Sequence, residues 1–182
     1  PEEGASVGDP FSGGVHLVVV QIAFASARRE SLAQRVARFA VTDDDAVRAL
    51  PILMDALRQI DADWTHAFVA SGKSSSGAPA REAFFEEVGS ARSGAVRGEQ
   101  SSLRGGPIGG AALATVVLAT RARLSGAPDP SDRSEVAGFL ESIASMDAND
   151  IAEFELVWAP PHRGGMKTEL LELVAPRLVA LG

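Results

Sequence analysis

Two runs in this chain are apolar at both alternating positions. In residues 15–26, Val18, Val20, Ile22 and Phe24 form one set and Leu17, Val19 and Ala23 the other. Residues 111–120 (AALATVVLAT) repeat the pattern. Strands of this kind are covered on both faces and belong inside a sheet. Two shorter runs, 65–70 and 153–158, also predict strands. In the second, Phe154, Leu156 and Trp158 alternate with Glu153 and Glu155. Charge of this kind discourages pairing with other molecules, so the shorter strands are expected at the sheet edges.

Helical spacing occupies much of the remainder. Leu32, Val36 and Phe39 share a face at i, i+4, i+7. Thr42 is a good N-cap for a helix running to about residue 60, with Asp43, Asp44 and Asp45 in the first turn, where the helix dipole favours negative charge. Pro51 removes one donor inside that helix. Pro79 is placed to open a helix through about residue 88, burying Phe84, Phe85 and Val88. Asp132 with Glu135 resembles a capping box for a helix to about Met146, and 166–174 predicts a last helix ended by Pro176. The polar stretch 71–79 and the glycine-rich stretch 89–110 are expected as loops, the latter a mobile connection or an irregular functional loop.

Segments 42–70 and 131–159 match at a constant offset: Val47, Leu50, Met54 and Leu57 fall on Val136, Phe139, Ile143 and Met146. Each copy follows an apolar run ending in arginines. Two such β-α-β units, sharing a core through one central strand each, predict an α+β ferredoxin-like two-layer sandwich: a four-stranded sheet with additional helices. An ordinary parallel α/β sheet is the alternative. Residues 1–14, rich in Gly, Pro, Ser and acid, are expected as a flexible lead-in, and 15–182 as a single domain with pseudo-repeats 15–71 and 110–160.

Composition narrows the chemistry. A net charge of −7 disfavours attraction to phosphate backbones, so no nucleic-acid partner is expected. The absence of cysteine excludes disulfides, thiolate catalysis and Cys-ligated zinc. Both long apolar runs fall short of the about 20 residues a membrane helix needs. A start at PEEGASVGDP lacks an initiator methionine and suggests that upstream residues have been removed.

No motif assembles a catalytic centre. Gly72-Lys73-Ser74 stands between a strand and a helix, as in a phosphate-binding loop, but Ala67 replaces the glycine that loop requires, and a polar turn is the preferred reading. The glycines around Pro107 precede a strand instead of following one. His16, His66 and His162 lack metal-ligand spacing, and no metal, cofactor or catalytic residue is expected. Arg28, Arg29, Arg121 and Arg123 follow the two central strands; they offer a surface for an anionic ligand or lipid headgroup, although capping strand ends and pairing with acids is the plainer role. Trp158, beside Pro160 and Pro161, is an interface candidate at a sheet edge.

The stretch GGAALATVVLATRARL, followed by a helix, FELVWAPP and KTELLELVAPRL, resembles the C-terminal half of the domain-of-unknown-function family 1517. The first half is similar more loosely, with Phe84, Arg92 and Ser93 in the expected order. Ala159 and Ala175 depart from the family pattern. The resemblance implies an uncharacterised domain that usually follows a membrane-spanning segment, in cyanobacteria, chloroplasts and other bacteria, and it adds Arg92 to the candidate surface. No catalytic residue carries over. The expected function is therefore a non-enzymatic interaction or regulatory domain. It is soluble in itself, membrane-associated through a segment absent from this chain, and paired with a protein partner or a second copy. The alternative is a small-ligand sensor or enzyme with a pocket under the 89–110 loop.

Overall fold

The computed structural model describes residues 8–38, 43–100, 110–162 and 164–182. The two strands apolar on both alternations, β1 (Val15–Ala25) and β3 (Ala111–Thr120), pair antiparallel at the heart of one sheet. All ten residues of β3 are buried. With β2 (Trp64–Ser75), β4 (Ile151–Ala159) and β5 (Val179–Ala180), the order is β4-β3-β1-β2-β5, and every neighbouring pair is antiparallel.

Helices cover both faces. Val18, Val20, Ile22 and Phe24 of β1 pack under α1 (Arg29–Ala37), α2 (Asp43–Arg58) and α4 (Arg133–Ala144), which contribute Leu32, Leu50, Met54, Leu57, Phe139 and Ile143. The opposite face lies under α3 (Gly77–Gln100) and the short α5 (Leu171–Val174). At its centre Gln21 and Thr115, directly paired across β1 and β3, are both buried, and the Gln21 amide donates to the Thr115 hydroxyl at 3.3 Å. Among the described residues Gln21 Oε1 has no hydrogen-bond partner.

This α+β architecture corrects the ferredoxin-like, four-stranded expectation and the parallel alternative with it. A single crossover helix would return the chain to run parallel to the strand it left. Here α1 and α2 both lie between β1 and β2, so the chain arrives back at the end where β1 stopped, and Phe24 pairs with Trp64. Between β3 and β4 a segment ahead of α4 takes the place of the first helix, and Thr120 pairs with Ile151. Each central strand therefore gains an adjacent antiparallel neighbour. β2 is not an edge strand, because β5 pairs with His66 and Ala67.

Several local expectations also change, and Phe85, expected buried, is 57% exposed on α3. β2 runs on to Ser75 through the stretch expected as a loop, because Ser74 and Ser75 pair with His16 and Val15. Residues 89–100, expected as loop, are the second half of α3, while 101–109 lie outside the described residues. Two of the glycines there serve close packing: a methyl at Gly94 would run into the Val174 carbonyl, and one at Gly98 would lie 3.1 Å from the Met166 sulfur. The last helix shrinks to α5 after a single turn, Thr168–Leu170, because Met166 exchanges both backbone hydrogen bonds with Ala111. At the start of α4, Asp132 accepts from the Ser134 and Glu135 amides, but Glu135 reaches back to the amide of Asp129 instead of completing a capping box. Thr42 lies outside the described residues.

Ahead of β1, Phe11 is buried against Phe84 of α3, their centroids 5.6 Å apart. Asp9 pins this contact through a 2.6 Å ion pair with Arg81. The hydrogen bond from Arg81, helped by the Phe11 amide, holds the Asp9 carboxyl below its ordinary value.

Two outcomes follow from this packing. Gly94→Ala is expected to cost about 2 kcal/mol in urea unfolding, whereas Gly89→Ala, whose Cβ meets nothing within 4 Å, should add about 1 kcal/mol. Asp9 has a depressed native pKa, so its contribution is present above the unfolded value of about 3.9 and is lost as pH falls through the lower native value. Asp9→Asn should therefore flatten the acid limb of a stability–pH profile, and an unchanged limb would count against this pin.

Candidate functional site

The residues after β1 make a single turn, Ser26–Arg28, and then open α1 at Arg29. Arg29 points inward and is only 8% exposed. Its guanidinium donates to the carbonyls of Pro161 and Gly164, each at 3.1 Å. It also lies over the Trp158 ring, 5.8 Å from the centroid. Burial pushes its pKa below the ordinary value, and Glu30 acts in the opposite sense. Trp158 in turn meets Phe24 edge to face, at 6.4 Å and 82°. Gly165 is required beside this turn, since a Cβ there would stand 2.6 Å from the Ser26 Cβ.

Between α1 and the end of β4 these contacts leave a cleft of about 440 Å³. Ala33, Ala37, Trp158 and Pro161 give it apolar walls, while Glu30, Gln34 and His162 supply a polar rim. Gln34 donates to Glu30 at 3.1 Å, and His162 lies 3.3 Å from Glu99 of α3. The guanidinium donors engage backbone carbonyls, so Arg29 acts here as a positioning residue and not as an anion clamp. What the cleft offers is an indole face and an alanine floor, suited to an apolar side chain with polar groups at its edge.

The structure brings Arg29 and Trp158 together and disperses the other candidates. Arg28 turns outward to Asp63 at 2.8 Å. Arg92 on α3 pairs with Glu155 at 2.5 Å. Arg121 and Arg123 follow β3, which runs against β1, so they stand at the far end of the sheet. There Arg121 donates to the Asn149 and Pro10 carbonyls, and Arg123 borders a second cleft. Sequence reasoning missed Gln34 and the rim role of His162; the Pro160-Pro161 and Gly164-Gly165 pairs that flank His162 in the sequence were its only signal. Among the described residues, no three His, Cys, Asp or Glu side chains converge as metal ligands, and no helix is long and apolar enough to cross a membrane.

Arg29→Ala should lower stability by about 2 kcal/mol by leaving two carbonyls without donors. It should also shift Trp158 emission to the red, while Trp64, 2% exposed, stays unchanged. Arg29→Lys should recover only part of both effects, because an ammonium lacks the two-pronged donor. Full recovery by lysine would show that charge alone matters at this position.

No curated protein and no solved structure matches the chain. A family model does, over residues 14–180, nearly the whole chain. The chain belongs to the family described as Protein of unknown function (DUF1517).

Proposed function

We propose that this domain is a non-enzymatic interaction module of a membrane-anchored protein, and that its docking element is the outer edge of β4 together with the Arg29–Trp158 cleft. The observation that carries this reading is the unequal treatment of the two sheet edges. The β2 edge is covered at His66 and Ala67 by the chain's own β5. Among the described residues no strand pairs with the outer side of β4, all nine residues of it. An open edge presents a row of backbone donors and acceptors, a template for an added strand.

The reading also takes the two halves as a duplication. Leu50, Met54 and Leu57 of α2 and Val136, Phe139 and Ile143 of α4 enter one core, and each helix leads into a strand antiparallel to its central neighbour. An approximate dyad near the Gln21–Thr115 pair would then exchange β2 with β4. The stretch of β4 equivalent to the one covered by β5 lies around Glu155 and Leu156, and a segment from another protein would complete the symmetry.

The occupant is an extended peptide that adds to β4 and sets an apolar side chain against Trp158. A second copy of the chain fits less well. Self-pairing along the whole strand would set Glu155 opposite its own copy, an unfavourable like-charge pair, between chains of net charge −7. The membrane tether rests on the family resemblance. The alternative of a ligand pocket beneath an 89–110 lid loses residues 89–100, which are helical.

The test is affinity capture with cross-linking, followed by titration of the captured partner's segment against wild type and Ala37→Glu, which fills the cleft from an exposed position. Wild type should respond through Trp158 fluorescence, and the variant should bind at least about tenfold more weakly, a loss of ~1.4 kcal/mol. Equal binding by both, or a concentration-independent monomer that captures nothing, sinks the reading.

A further inference from the structure

We infer that the opposite end of the sheet holds an anion-binding cleft, formed by His16, Lys73 and Arg123, that takes a phosphate-bearing ligand. Three separate elements deliver these side chains. His16 lies near the start of β1, paired with Ser74 on one side and Thr120 on the other. The β1–β2 register shifts between His16 and Val18, so that Gly72 and Lys73 together stand opposite Leu17. An extra residue of this kind bends a strand and re-aims its side chains. Arg123 comes from the segment that leaves β3. With Ser71 and Ser74 these groups border a cleft of about 430 Å³, large enough for a small ligand and more than a bare ion needs.

The charge pattern is hard to explain by stability alone. In this acidic chain five of the described arginines are matched with acids: Arg28 with Asp63, Arg58 with Asp55 and Glu141, Arg81 with Asp9, Arg92 with Glu155 and Arg177 with Glu87. The side chains of His16, Lys73 and Arg123 have no hydrogen bond or ion pair with any described residue. Arg121 stands nearby with its donors on carbonyls, adding positive potential without filling the cleft. Like charges gathered without a counter-charge repel one another, and a bound anion removes that cost. Two fixed cations, an imidazole and two hydroxyls match the several oxygens of a phosphate group. The recognition is by side chains: Gly72, Lys73 and Ser74 belong to β2, so no backbone loop wraps the anion.

Gly126 supplies a clean probe, because a Cβ there meets nothing within 4 Å. Inorganic phosphate and glycerol 3-phosphate form one arm, read by calorimetry. Phosphatidylcholine vesicles with and without phosphatidylglycerol form the other, read by co-sedimentation. Binding in the first arm assigns a soluble phosphate compound, and binding confined to the second assigns a lipid headgroup. Either upholds the cleft when Lys73→Glu and Gly126→Glu each weaken it at least about tenfold while unfolding at the wild-type temperature. Lys167→Glu, the same charge change at an exposed position outside the cleft, should leave binding intact. The inference is overturned if neither arm binds, or if Lys167→Glu weakens binding as much as Lys73→Glu does. Should Lys73→Glu fail to fold, Gly126→Glu alone decides: undiminished binding rejects the cleft.

Discussion

Burial of β1 and β3 on both faces is the constraint from which the rest of the molecule follows. A strand pair without a polar side must be roofed twice, and 182 residues supply two roofs of different construction. On one face three helices interlock through large side chains, Leu50, Leu53, Met54, Leu57, Leu140 and Ile143 among them. On the other a single 24-residue helix, spanning about 36 Å, does most of the covering and needs small residues to let α5 and the Met166 bridge come close. The double cover also fixes the connections. Chain leaving a central strand must cross a face and return before the next strand starts, which makes the neighbours antiparallel.

What the sequence made legible was whatever carried its own periodicity. β1 and β3 announced themselves by being apolar at every alternate position, α2 by Leu50, Met54 and Leu57, and α4 by Val136, Phe139 and Ile143. What it concealed were elements whose identity comes from a partner. Gly89, Gly94 and Gly98 look like loop glycines until the Val174 carbonyl and the Met166 sulfur are seen beside two of them. Ser74 and Ser75 have no strand pattern of their own and become strand by pairing with β1. The two residues of β5 are too few for any period to show.

The same distinction governs the candidate site. Arg29 and Trp158 could each be singled out, but not their meeting, which depends on β1 and β4 finishing at the same end of the sheet. The arginines after β3 could be grouped with Arg28 and Arg29 only while strand direction was unknown. Once β3 runs against β1 the basic residues divide between two ends, one arginine bound to backbone carbonyls beneath an indole and another beside His16 and Lys73.

The Gln21–Thr115 pair has a further consequence, for alignment. Strands that are oily on both sides lose little if they slide past each other by two residues, since every new contact is still apolar. A slide of that size would set the Gln21 amide against Leu113 or Val117, burying it with no oxygen to meet. The single amide–hydroxyl contact therefore works as a key that admits one alignment of the central strands. Its Oε1, buried without a partner among the described residues, is the stability loss accepted for that uniqueness.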